Sequence, residues 1–109
     1  MATEFQKRVW DALRLIPKGR VTTYKAIAEH LGTRAVRAVG SAVGKNPYAP
    51  EVPCHRVVPS DGTLGNYSAP GGPKRKMELL AAEGIKVENG KIAGFETLLF
   101  EYERGREDG

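Results

Sequence analysis

Apolar residues near the start of this chain recur at helical spacing. Phe5, Val9, Ala12, Leu13 and Ile16 share one face, which predicts an amphipathic helix. Thr3, followed three residues later by Gln6, supplies a capping box at its start, and Pro17 with Gly19 ends it. Arg20-Val21-Thr22 reads as a short extended piece leading to Thr23, the expected N-cap of a second helix. That helix, from Tyr24 to Leu31, buries Ile27 and Leu31 and stops at Gly32. Thr33 is expected to cap a third helix reaching about Lys45. Two short helices joined by a glycine-containing turn match the helix-turn-helix plan. On the third helix Val36, Val39 and Val43 form a stripe suited to a core, while Arg34, Arg37 and Ser41 lie on another. Ala38, Gly40 and Gly44 keep its profile low. A smooth face with a few basic residues suits close approach to a DNA groove, although small residues serve plain helix packing too.

The pattern then changes. From Asn46 to Pro73 the chain is rich in Pro and Gly, with strand-like pieces at Arg56-Val57-Val58 and around Leu64. A fourth helix starts with Pro73 in its first turn, carries Met77, Leu80 and Ala81 inward and ends at Gly84. Asn89-Gly90, between Lys86-Val87-Glu88 and Lys91-Ile92, is a hairpin turn signal. Phe95 to Phe100 reads as a strand or a short helix, and residues 101–109 as a charged, frayed tail. The expected fold is mostly α with small β elements, a single unit over residues 1–100.

Composition changes this picture little: 40% hydrophobic and 28% charged residues are ordinary for a globular protein. Charge changes it more. Residues 1–76 hold 13 Lys/Arg against 5 Asp/Glu, and residues 77–109 hold 4 against 8. A basic first two-thirds is the footprint of a nucleic-acid binder, or of a solvated surface that happens to be basic. No apolar run approaches the ~18 residues of a membrane helix, and no secretory signal opens the chain. A lone cysteine cannot pair internally, which fits a reducing compartment, cytoplasmic and nucleoid-associated or nuclear.

That cysteine, Cys54, is the one candidate nucleophile of its kind. A free thiol titrates near ~8.5 and reacts weakly at neutral pH unless its thiolate is favoured. His55 is adjacent, but neighbouring residues of a regular strand point to opposite faces, so contact needs a bend or a bridging water. A third group should hold the imidazole, and Glu83 at the end of the fourth helix qualifies by type. One Cys and two His, with His30 on another helix, form no recognisable zinc set. By itself a lone cysteine is more often a small buried hydrophobe than a nucleophile.

The order of motifs points elsewhere. Pro53-Cys54-His55-Arg56-Val57-Val58 resembles the active-site signature of the O6-alkylguanine-DNA alkyltransferases, the methylated-DNA–protein-cysteine methyltransferases. Arg37-Ala38-Val39-Gly40 with Ala42 resembles their recognition helix, and Lys45-Asn46-Pro47 the asparagine hinge after it. Gly65-Asn66-Tyr67-Ser68 is similar to the active-site loop, and Leu79 to Gly84 to the helix end bearing the glutamate. Gly19 to Tyr24 resembles the lead-in to the helix-turn-helix. The likeness runs from about Phe5 to Lys91 and corresponds to the family's C-terminal domain.

The resemblance implies a winged-helix-like domain that enters the minor groove of double-stranded DNA and flips an O6-alkylguanine toward the cysteine. It casts Arg37 as the arginine finger, with Arg34, Gly40 and Ser41 beside it on the DNA. Tyr24, Tyr67 and Ser68 meet the base, and main-chain carbonyls at Cys54 and Val57 receive its exocyclic amine. Cys54, His55 and Glu83 form the catalytic set, and Asn46 is a structural hinge. The implied enzyme is a monomeric, single-turnover S-methyltransferase needing neither metal nor organic cofactor. Arg56 reads as a phosphate contact or a structural ion pair, the latter preferred. Residues 69–73 make the loop after Ser68 about two residues longer than the family's usual spacing. Alkyltransferase-like proteins, which bind the lesion without transfer and recruit excision-repair proteins, are the alternative; they commonly carry another residue, often Trp, where Cys54 stands. A helix-turn-helix regulator is a third reading.

Overall fold

The computed structural model describes residues 2–102. Helix α1 (Glu4–Leu13) begins at Thr3, whose hydroxyl accepts from Gln6 N while the Gln6 side chain accepts from Thr3 N. Its apolar stripe buries Val9, Ala12 and Leu13, and Ile16 is buried just past its end. Strand β1 (Thr22–Thr23) leads directly into α2 (Tyr24–His30), with the Thr23 hydroxyl accepting from Ala26 N as expected. Gly32 follows at φ +76, the left-handed turn that ends the helix.

Helix α3 (Val36–Gly44) starts later than expected. Thr33 does not cap it; its hydroxyl accepts from Ala35 N and closes a local turn instead. Val39 and Val43 face the core as expected, but Val36 is 39% exposed because it sits in the first turn, beyond the reach of α1 and α2. The cysteine segment also differs from expectation. Cys54–Arg56 forms a 3-10 turn, and only β2 (Val57–Val58) is extended. β2 pairs in parallel with β1, Thr22 opposite Val57 and Thr23 opposite Val58.

Helix α4 (Gly72–Ala82) has Pro73 in its first turn. Its inward face holds Leu80 as expected but Lys76 in place of Met77, which is 42% exposed, and Ala81 is exposed as well. β3 (Val87–Glu88) and β4 (Lys91–Ile92) form the expected hairpin, with Asn89 at φ 53 and Gly90 at φ 78. Leu64 joins no named strand; its N–H donates to Gly90 O beside this hairpin. A short α5 (Phe95–Leu98) completes the elements.

Two apolar clusters form the core. One joins α1, α2 and α3 with Val52, Cys54, Val57 and Tyr67; the other gathers Val21, Val58, Leu64, Leu80, Ile85 and Ile92. The chain end seals the first cluster. Arg20 donates to Leu98 O and Leu99 O, Thr22 Oγ1 donates to Phe100 O, and Tyr102 Oη donates to Ala12 O. Tyr102 also stacks on His30, so the packed chain runs past residue 100; residues 103–109 of the expected tail lie outside the described residues. Among the described residues, no helix is long and apolar enough to cross a membrane.

Candidate active site beside Cys54

A 3-10 turn, not a strand, carries the cysteine and the histidine. Pro53 has no amide hydrogen to give to a strand, and its carbonyl accepts from Arg56 N at 3.0 Å, tightening the chain. Cys54 is 7% exposed and His55 3% exposed. Cys54 stands at the edge of the larger core cluster and in the wall of a cavity of about 420 Å³. Tyr24, Arg37, Gly40, Asn46, Tyr67 and Ser68 line the same cavity. Six of the residues singled out in the sequence therefore meet at one opening with the thiol. Arg34, just before α3, and Ser41, on it, are exposed and do not line the cavity.

Behind the cysteine lies a polar network. His55 Nε2 is 2.8 Å from Glu83 Oε2. The Arg56 guanidinium grips the same carboxylate, Nη2 at 2.8 Å and Nε at 3.0 and 3.1 Å, and donates to Ile16 O at 2.7 Å. Gly19 N donates to Glu83 Oε1 at 2.9 Å. Arg56 thus makes the structural ion pair preferred from the sequence. Burial opposes charge on Glu83, but the Arg56, Gly19 and His55 hydrogen bonds outweigh it and hold the carboxyl down to about 2. An ionised Glu83 requires Nε2 to carry the proton, so Nδ1 is the acceptor nitrogen. Among the described residues, Nδ1 is buried with no hydrogen-bond partner. Burial lowers the His55 pKa from 6.5 despite the Glu83 carboxylate, which keeps the ring neutral at physiological pH.

Both tyrosines of the cavity hold their protons. Burial, then the neighbouring Cys54, raises Tyr24 above its usual value, and the same causes push Tyr67 up to about 12. Each is consequently a hydrogen-bond donor at neutral pH.

Asn46 sits just after α3. Its Nδ2 donates to Val52 O at 2.7 Å, and its Oδ1 accepts from Tyr48 N at 3.0 Å. It ties the end of α3 to the segment immediately before Cys54. Gly44 supports the same junction: a Cβ there would lie 3.0 Å from Ser68 Oγ, so its absence lets the Tyr67–Ser68 loop approach α3. The Val57 side chain is fully buried, and its carbonyl accepts from Lys76 Nζ at 2.8 Å, a bond that uses one of the oxygen's two lone pairs.

Lys76 is the residue that sequence reasoning missed. It is fully buried, and Nζ donates to Val57 O, Leu64 O and Asn66 O at 2.8, 2.6 and 3.2 Å. Three acceptors call for all three ammonium protons, although burial pulls its pKa down to about 8. The charge joins β2 to the loop bearing Tyr67 and lies within electrostatic range of Cys54. A signal existed: Lys76 shares a helical face with Leu80 and Glu83, four and seven residues on. Among the described residues, no group of three or more His, Cys, Asp or Glu could hold a metal ion.

Residues 4–85 match the family described as 6-O-methylguanine DNA methyltransferase, DNA binding domain. That description replaces the C-terminal label expected from the sequence. The methylated-DNA–protein-cysteine methyltransferase of Mycolicibacterium paratuberculosis is 52% identical over 82 residues, 74% of this chain and 48% of that protein. A Mycobacterium tuberculosis OGT in complex with DNA superposes with a TM-score of 0.72 at 49% identity, over 76% of this chain and 51% of that one. Atl1 of S. pombe, solved with damaged DNA containing O6-carboxymethylguanine, gives a TM-score of 0.79 at 30% identity, over 94% of this chain and all of that one. The chain spans 29% to 51% of the length of its first curated relatives.

Proposed function

The chain belongs to the 6-O-methylguanine DNA methyltransferase family, and from that membership we propose that it repairs O6-alkylguanine in duplex DNA by moving the alkyl group irreversibly onto Cys54. The observation that carries this reading is the Cys54 thiol in a tyrosine-lined cavity, backed by His55 with one nitrogen held by Glu83 and the other unpartnered among the described residues. The exposed α3 face enters the minor groove, Arg37 occupies the gap left by the flipped base, and Arg34, Gly40 and Ser41 lie along the backbone. The low profile at Gly40 and Gly44 lets the duplex approach the thiol.

In the reaction His55 Nδ1 takes the thiol proton through a water. The sulfur then attacks the alkyl carbon in line: the S–C bond forms as the C–O6 bond breaks, and the electron pair stays with guanine. Guanine gains a proton as it leaves, balancing the one lost by Cys54, and the protonated Tyr24 and Tyr67 lower this barrier by hydrogen bonding. Ser68 stands at the loop facing O6, and Lys76 adds a buried positive charge near the forming thiolate. The thioether is stable, so each molecule reacts once, and no cofactor enters the balance. A DNA substrate and an unpaired thiol support an intracellular compartment.

The test is to incubate the protein with a duplex containing one O6-methylguanine and weigh it by mass spectrometry. A gain of one methyl group, lost in Cys54→Ser, is expected. Likeness to Atl1 over 94% of the chain supports a second reading, lesion binding without transfer in support of excision repair. Tight lesion binding with no mass gain would select it; indifference to the lesion would leave a plain DNA-binding regulator.

A further inference from the structure

A second cavity, of about 490 Å³, adjoins the one at Cys54, and Gly44, Asn46, Tyr67, Ser68 and Ala69 wall both. Its remaining lining is of two kinds. Pro47, Ala49, Pro50, Pro70 and Leu79 are apolar, while Lys45 and Arg75 are cationic, and among the described residues no carboxylate takes part. The long loop after Ser68 builds this arrangement. Gly71, at φ +100, packs so closely that a Cβ there would lie 2.5 Å from Arg75 Cβ, so the loop backbone props the base of the Arg75 side chain. Arg75 is also near enough to Tyr67 to oppose the rise in that phenol's pKa. Among the described residues its one acidic contact is Glu78 at 3.6 Å, one turn along α4, with both side chains about half exposed.

We propose that the two cavities form one substrate channel whose outer half selects O6 substituents with an apolar stem and a terminal carboxylate, Arg75 and Lys45 being the specificity-determining residues. The inference rests on the O6-alkylguanine reading above and deepens it by naming the substituent. A methyl group occupies only the inner cavity at Cys54. A chain of several carbons passes the Tyr67–Ser68–Ala69 wall, lays its stem on the prolines and Leu79, and brings its end group to the two cations. A neutral end group of equal size gains the apolar contact but not the charge.

Four duplexes of one sequence test this, carrying O6-carboxybutylguanine, its carboxamide isostere, O6-methylguanine or unmodified guanine. Equilibrium binding is read with Cys54→Ser, and single-turnover transfer with the unmodified chain. The ratio of acid to amide cancels phosphate contacts that Arg75 or Lys45 makes with the duplex. We expect the acid to be preferred by about two- to fivefold, less so at high salt, as for a partly exposed ion pair. Arg75→Gln should erase most of the preference and Glu78→Gln should enlarge it. Equal affinity for acid and amide, or a preference that survives Arg75→Gln with Lys45→Gln, would overturn the channel assignment. The O6-methylguanine duplex separates the two failures. If it is repaired normally while the acid gains nothing, only the channel is lost; if no lesion is preferred over plain guanine, both readings are lost.

Discussion

The 2.8 Å contact between His55 Nε2 and Glu83 Oε2 decides which histidine nitrogen is free to take a proton. With Glu83 ionised, Nε2 keeps its hydrogen, and only Nδ1 can serve as a base. Because burial lowers the His55 pKa from 6.5, the neutral ring persists through the physiological range. The transfer rate should therefore stay level on the acid side of neutrality and fall only as pH drops below the ordinary histidine range. His55→Gln should slow transfer by about 10²–10⁴-fold, with lesion affinity nearly unchanged. Single-turnover rates across pH check both points; an acid limb centred above 6.5 would assign the base elsewhere.

Glu83 also carries an acid-stability prediction. Its pKa falls from 4.5 to about 2 on folding, so its contribution is present above 4.5 and is lost as pH falls toward 2. The loss should amount to about 2–3 kcal/mol over that window. In Glu83→Gln the curve should be flatter there and lower at neutral pH. Urea melts at a series of pH values measure this, and parallel curves for the two proteins would refute it.

Lys76→Met keeps the length and apolar stem of the side chain but leaves three carbonyl oxygens without their donor. With each unsatisfied acceptor costing about 1–3 kcal/mol, the variant should lose at least about 3 kcal/mol of stability. Amide exchange should quicken first around Asn66 and Tyr67, the loop the ammonium holds. Lost stability with unchanged exchange in that loop would reduce Lys76 to a packing role.

Arg37 lines the thiol cavity from the exposed face of α3. Arg37→Ala should lower repair far more than it lowers affinity for undamaged duplex, because in the proposed role the arginine acts only once a base has left the stack. Paired measurements of transfer and of plain-duplex binding decide the matter. Equal losses would make Arg37 one phosphate contact among several.

Local chemistry was the legible part of this fold. The Thr3–Gln6 box, the Thr23 cap, the Asn89-Gly90 turn and the helix-turn-helix each depend on residues a few positions apart, and each formed as expected. Tertiary partners decided the rest. Periodicity on α4 suits Met77 as well as Lys76, and only carbonyls 10, 12 and 19 positions away favour the lysine. The ordered motifs identified Cys54, His55 and Glu83 as a set, but the 28-residue span from His55 to Glu83 could not be closed by spacing. The bond from Lys76 Nζ to Val57 O shows the same limit: the cysteine motif includes the acceptor, but its donor lies 19 positions away on α4.

The bonds from Arg20, Thr22 and Ala12 to the chain end join residues 78 to 90 positions apart. On a ribosome, where synthesis runs from the N-terminus, the helix-turn-helix emerges long before Leu98, Phe100 and Tyr102 exist to fasten its lead-in strand. The helix-turn-helix must then wait, partly unfastened, until residues 98–102 have been made. Premature termination between Gly84 and Leu98 would release a nascent protein that has α3 and Cys54 but lacks the strap that holds β1 in place.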